Sequence, residues 1–558
     1  MINNRIFTTV NHPFSSIIFA IMNINLIKPA LLLACCMLAS SCSQRYTTSE
    51  ADGRVGTYTM AQEAPPPPAA LPEEEEAGEP PFNTEEYDRI YENPFRSPLV
   101  APLSTFSIDV DVASYANVRR FLNQNQMPYP DAVRIEELIN YFDYTYEPPT
   151  GPHPFSIHTE AATCPWQPAH QLVMIGLKGR EIEADALPPS NLVFLLDVSG
   201  SMNTPDKLPL LKSAFGLLVN ELDADDRVSI VVYAGAAGVV LPPTPANEKA
   251  DILQALEQLE AGGSTAGGEG IELAYRLAEE NFIPGGNNRV ILATDGDFNV
   301  GPSSDGELVR LIEEKRDKGV FLSVLGFGSG NLKDSKMEQL ADKGNGNYAY
   351  IDNILEAKKV LVSEMGGTLF TIAKDVKIQV EFNPALVKGY RLIGYENRVM
   401  AAEDFNDDTK DAGELGAGHT VTALYEIVPV GADTEVAGVD KLKYQLNVPA
   451  NEAGKNELMT VKFRYKAPDG DQSELLVQPV ENTSSDFAAA STDFRFAAAV
   501  AGWGMLLRGS QYKGTLDYAQ VQQIAANARG VDSKGYRAEF LQLVEKASLL
   551  DRREAERK

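Results

Sequence analysis

Hydrophobic positions follow different rhythms in successive parts of this chain. Residues 191–196 read NLVFLL, an almost wholly apolar run expected of a strand buried on both faces of a parallel sheet. Residues 228–233, 290–294 and 321–326 have the same character. Between these runs the apolar period is helical: Leu208, Leu211, Phe215, Leu218 and Leu222 mark one helix. Residues 252–259, 271–280 and 308–318 mark further covering helices. Alternation of this kind predicts an α/β domain with a doubly wound, mostly parallel sheet.

From Asp375 the period shortens to two. Residues 376–382, 420–427, 441–448 and 457–465 alternate, with turns rich in Gly, Asn and Asp between them, as antiparallel strands do. Residues 155–163 and 171–178 read as strands too, around Cys164-Pro165-Trp166. We expect these two groups of strands to pair into one β-sandwich with the α/β domain inserted in it. Ahead of them, 104–111 reads as a strand and 113–123 and 134–142 as helices, a small α+β block. Residues 484–550 are rich in Ala and Leu at helical spacing and end in the charged tail DRREAERK.

The first ninety residues obey none of these rhythms. Residues 1–41 carry Arg5 and Lys28 and no acid, and ALLLACCMLA at 30–39 is too short to span a bilayer. Ala39-Ser40-Ser41-Cys42 resembles a bacterial lipoprotein cleavage site, which implies lipidation at Cys42. Met22 is a candidate true start, because MNINLIKP is a normal short positively charged leader, and Cys35 is a weaker rival acceptor. Ser43 following the cysteine points, by the lipoprotein sorting rule, to the outer membrane, facing either the periplasm or the surface. Residues 42–93 contain APPPP and EEEE, favour extended chain and bury too little to fold, so they are expected to be a disordered tether.

Composition narrows the partners. The formal charge of −29 leaves no basic groove for nucleic acid and disfavours electrostatic docking on anionic lipid. Cys35, Cys36 and Cys42 crowd one apolar segment, which makes neither a disulfide framework nor a zinc site. Cys164 reads as a buried small apolar side chain.

Candidate chemistry sits where the buried strands end. The strand at 191–196 runs into Asp197-Val198-Ser199-Gly200-Ser201, at the carboxyl end of a strand, where open α/β sheets bind ligands. Alone, this is equally a polar turn with an Asp helix cap. Two further stretches change that: the glycine-rich loop 262–268 with Thr265 in its middle, and the strand at 290–294 ending in Asp295. Together Asp197, Ser199, Ser201, Thr265 and Asp295 resemble the metal-ion-dependent adhesion site (MIDAS) of von Willebrand factor type A (VWA) domains. The resemblance covers about 191–373. The block TFSIDVDVASYANVRRFL…RIEELINYF resembles the N-terminal domain of YfbK-like bacterial proteins, and the order of parts resembles theirs throughout.

The resemblance implies a Rossmann-like VWA sheet at 188–373, inserted in a β-sandwich whose later strands occupy 374–482. An N-terminal domain at 94–187, including sandwich strands, and a helical C-terminal region at 483–558 complete the chain. Oxygen donors alone select a hard ion, Mg²⁺ or else Mn²⁺ or Ca²⁺. No histidine lies between His170 and His419, so a catalytic zinc has no ligands there. In the family the ion's remaining position accepts an Asp or Glu from a protein partner, so the expected function is metal-dependent protein binding by a membrane-anchored lipoprotein. The alternatives are an envelope lipoprotein whose metal only stabilises the fold and, further off, a hydrolase. Asp109-x-Asp111 resembles the strand-end aspartates of haloacid-dehalogenase phosphatases, but the block is too short to supply their lysine and acidic pair.

Overall fold

The computed structural model describes residues 83–557 apart from 109–110, 184–185, 265–266, 297, 299–304, 365–366, 368–369, 441–442, 445–455 and 469. The leader, Cys42, most of the tether and Thr265 lie outside the described residues, as does almost all of the strand expected at 441–448.

The first elements are β1 (Leu103–Ser107), α1 (Ala113–Asn123) and α2 (Ile135–Asn140), then β2 (Phe155–Thr163) and β3 (Gln171–Gly179). The α/β domain runs β4 (Ser190–Asp197), α3 (Leu208–Glu221), β5 (Arg227–Tyr233), β6 (Ala237–Pro245), α4 (Lys249–Glu257) and α5 (Gly267–Glu280). It continues through β7 (Asn287–Thr294), α6 (Asp305–Asp317), β8 (Val320–Phe327), α7 (Asp334–Lys343), β9 (Tyr348–Ile351) and α8 (Ile354–Lys358). Its sheet has the order β6-β5-β4-β7-β8-β9. Neighbours from β5 to β9 pair in parallel, and β6 pairs antiparallel with β5 at the edge. Every residue of β4 and β7 is buried, because helices cover both faces of the sheet.

Past this domain come β10 (Thr371–Phe382), β11 (Val387–Ile393), β12 (Val399–Met400), β13 (Gly413–Gly416) and β14 (Thr420–Pro429). Then follow β15 (Glu457–Lys466), β16 (Ser473–Glu481), α9 (Thr492–Arg508), α10 (Tyr518–Asn527) and α11 (Tyr536–Arg557). One antiparallel sheet has the order β12-β1-β10-β15-β16, with β13 on β10, and a second the order β11-β14-β3-β2. Phe106, Val173, Ile175, Val380, Tyr425 and Phe463 from the two sheets share one core, which makes them a sandwich. The chain leaves the sandwich after β3 and returns to it at β10, so the α/β domain is an insertion between strands of opposite sheets.

Pieces far apart in sequence share a third core. Tyr115, Leu122, Ile135 and Leu138 of α1 and α2 pack with Phe494, Trp503 and Phe540 of α9 and α11, over the outer face of β3 at Leu172 and Met174. Cys164 lies in this core as a free, buried thiol whose pKa burial pushes well above its ordinary value. Arginines, one of them the buried Arg119, join the α/β domain to the rest. Arg119 of α1 reaches Asp352 at 2.8 Å and Glu356 at 2.7 Å, and Arg398 reaches Glu338 at 2.8 Å.

One expected boundary is corrected. Folded structure begins by Asn83 and not at Asn93: Thr84 N–H donates to the Gly330 carbonyl at 2.7 Å and Glu86 N–H to that of Leu332 at 3.0 Å. The Glu85 carboxylate accepts from Arg120 at 2.9 and 3.0 Å and from the Gly330 N–H at 2.8 Å. A polar, acidic stretch is ordered here because a buried arginine of α1 and a loop of the α/β domain supply its partners.

Candidate functional site

Strand register builds the site. Asp197 ends β4, opposite Tyr233 at the end of β5, while Thr294 ends β7 on the other side. The Tyr233 and Thr294 hydroxyls each donate to Asp197 Oδ2 at 3.2 Å, and the Ser199 N–H donates to Oδ1 at 2.9 Å. The carboxylate is thus aimed by the strand on each side and by its own loop. Burial pushes its pKa up to about 6, against the bonds from Ser199 and Tyr233 and reinforced by the nearby Asp295 charge.

The two serines stand on that loop. Ser199 Oγ and Ser201 Oγ are 3.1 Å apart, and Ser201 bonds on to Asp295. Asp197, Ser199 and Asp295 are buried, whereas Gly200 and Ser201 are exposed, so the oxygens line a floor open to solvent at one point. Gly200 N–H donates to the Gly263 carbonyl at 3.1 Å and Gly262 N–H to that of Val198 at 2.8 Å. These two bonds tie the glycine loop to the Asp197 loop, two residues before Thr265, which itself lies outside the described residues. Gly263 has φ +84, and a Cβ there would come within 3.3 Å of the Gly235 nitrogen.

Two neighbours of Asp295 were not anticipated. Lys207 Nζ lies 2.9 Å from Asp295 Oδ2 and 3.1 Å from Asn331 Oδ1. Burial would raise the Asp295 pKa, but Lys207, Ser201 and Asn331 together hold it below its ordinary value. Gly296 permits this arrangement: its φ is +110, and a Cβ would collide with the backbone of residues 331–333 at 2.6–2.8 Å. Nothing local in the sequence marks Lys207, Asn331, Tyr233 or Thr294, because each acts on a residue distant in the chain.

A second group of carboxylates, Asp111, Glu137 and Glu338, also comes together, with oxygens within 4.8 Å of one another. It is balanced from inside the protein. Arg134 pairs with Glu137 and with Asp334, while Arg398 reaches Asp111 at 3.1 Å and Glu338 at 2.8 Å. Asp111 also accepts the Tyr348 N–H at 2.7 Å, so it is a joint between domains with no phosphatase-like surroundings among the described residues.

Residues 191–361 match the family described as von Willebrand factor type A domain, and 81–174 match one described as von Willebrand factor. Residues 367–550 match "Uncharacterized protein YfbK, C-terminal". The Escherichia coli (strain K12) protein YfbK is 46% identical over 475 residues, covering 83% of this chain and 81% of its own. The chain belongs to the YfbK family. The Synechocystis protein sll0103 is 31% identical over 33% of this chain and 42% of its own length. Among solved structures, a mussel byssus protein described with a zinc-occupied MIDAS motif is 22% identical over 32% of this chain and 45% of its own, with a TM-score of 0.26. Membership gives the chain a VWA domain, a class of module that in general serves protein–protein interaction and not catalysis.

Proposed function

We propose that this protein is an envelope lipoprotein that binds a protein partner through a divalent ion held by Asp197, Ser199, Ser201, Thr265 and Asp295. The observation that carries this reading is the aimed, buried Asp197 carboxylate beside two serine hydroxyls 3.1 Å apart, with Ser201 open to solvent. That donor set fits a hard ion such as Mg²⁺, Mn²⁺ or Ca²⁺: the described donors are carboxylate or hydroxyl oxygens, and no sulfur or imidazole is among them. Serine and threonine are neutral donors, and the two aspartates need not both touch the ion, so its own coordination shell is left short of negative charge. When bound, it supplies a Lewis-acidic position suited to an Asp or Glu of the partner.

The chain's own acidity does not forbid an acidic ligand. Screening confines long-range repulsion to about 8 Å at physiological salt. At contact the ion is the nearest charge, and a pair ~4 Å apart gains roughly 4 kcal/mol at an effective dielectric of about 20, before desolvation. Lipidation at Cys42, at the outer membrane, would hold this body on a tether; among the described residues no helix is long and apolar enough to cross a membrane.

Cross-linking capture from envelope extracts, in Mg²⁺ against EDTA, tests the reading. A partner retained only with Mg²⁺ supports it. A partner retained equally in EDTA would mean docking elsewhere and leave the metal a purely structural part.

A further inference from the structure

Lys207 is placed as no surface lysine is. It precedes α3, is 7% exposed, and its ammonium bridges the strand-end Asp295 to Asn331 in the loop after β8. Its aliphatic stem lies over Gly328, where a Cβ would fall 2.3 Å from Lys207 Cε and 2.4 Å from Cγ. Gly328 has φ +72, so the loop is shaped to let the stem pass. The Asn331 end of the bridge is fixed in turn, because Thr84 and Glu86 bond to the carbonyls of Gly330 and Leu332 on either side. The ammonium is therefore held in place by packing on its stem and hydrogen bonds at its tip.

We propose that Lys207 is a resident counter-ion of the metal site: it tempers the site's affinity for the ion and leaves the bound ion more positive toward an acidic partner. This rests on the metal reading above. The argument is one of charge. Two ionised aspartates would neutralise a divalent ion, which would then gain little from a further carboxylate. With the Lys207 ammonium among them the protein supplies a single net negative charge, and the bound ion keeps an uncompensated positive charge to present. An ammonium hydrogen-bonded to one of the two carboxylates also draws on the same electron density the ion needs, so affinity for the ion falls. Before the ion arrives, the same ammonium partners a buried carboxylate that would otherwise lie uncompensated. Lys207 thus holds the site together when empty and keeps its ion exchangeable and electrophilic when full.

The test is Mn²⁺ binding by calorimetry, and by the electron spin resonance of free Mn²⁺, on the full folded body of wild type, Lys207→Met and Lys207→Arg. Methionine keeps the stem and removes the charge; arginine keeps the charge. Lys207→Met is expected to bind Mn²⁺ about tenfold tighter or more. It should also melt lower than wild type in EDTA and gain more on Mn²⁺ addition, while Lys207→Arg stays near wild type. A merely structural lysine would lower stability without tightening the ion. If Lys207→Met is folded by circular dichroism and binds Mn²⁺ no tighter than wild type, the proposal is wrong while the metal site stands. Should it fail to fold, Lys207→Gln is judged by the same criterion. If none of the chains binds Mn²⁺, the metal reading and this proposal fall together.

Discussion

Thr294 donates its hydroxyl to Asp197 Oδ2 at 3.2 Å, from the last residue of one buried strand to the last residue of its neighbour. Tyr233 does the same from the strand on the other side. Supporting bonds of this kind fix the direction of a ligand carboxylate, and their loss typically costs about 10–100-fold in metal affinity. Thr294→Val and Tyr233→Phe should each weaken Mg²⁺ or Mn²⁺ binding roughly tenfold. Each should cost about 1–2 kcal/mol of stability in denaturant titrations. Unchanged affinity in both variants would mean that Asp197 does not meet the ion.

Removing the ion should matter more for the site than for the cores. The two cores elsewhere in the chain and both faces of the VWA sheet are closed by apolar side chains, and Asp197 sits where its strand opens into a loop. Far-ultraviolet circular dichroism should therefore be the same in Mg²⁺ and EDTA, with the melting temperature lowered by a few degrees at most. Loss of secondary structure in EDTA would point instead to a metal that builds the fold.

Glu136 gives the clearest pH dependence. It is 2% exposed in α2, and Oε2 has no hydrogen-bond partner among the described residues. Burial, reinforced by Glu396 and opposed by Arg508, pushes its pKa to about 7. Between the unfolded value near 4.5 and about 7 the native state holds more protons than the unfolded state, so stability is lost as pH rises through that window. Glu136→Gln should remove this loss and raise stability at pH 8 by on the order of 2 kcal/mol, with little effect at pH 4.5. Parallel stability–pH curves for the two proteins would contradict it.

Much of the fold was legible because it repeats over long stretches. Asn191–Leu196 announced a central strand, and the change of period near Asp375 announced the sandwich and hence the insertion. Residues 237–245 carry Pro242 and Pro243 and give no clean strand signal; they form β6, an edge strand, where a missing N–H is tolerated. β11 and β16 lack clean alternation: β11 carries Gly389, and exposed Leu475 and Val477 of β16 blur its two faces. At the site, Asp197, Ser199, Ser201 and Asp295 could be picked out because each ends or follows a buried strand. Lys207 and Asn331 could not, since only the folded sheet brings them to Asp295.

The proposed lipidation of Cys42 makes a separate prediction. Cys42→Ala should abolish lipid labelling by radioactive palmitate and release the protein from the membrane fraction. Unaltered processing and membrane retention in that variant would remove the lipoprotein reading and leave the VWA site untouched.

The most direct measurement is calorimetric titration of Mg²⁺ and Mn²⁺ into the purified protein, wild type beside Asp197→Ala. Hydroxyls and one remaining aspartate should not compete with the ion's own hydration. The account predicts one bound ion per wild-type chain and no measurable binding to Asp197→Ala, with circular dichroism unchanged. Wild-type affinity in the Asp197→Ala protein would contradict it.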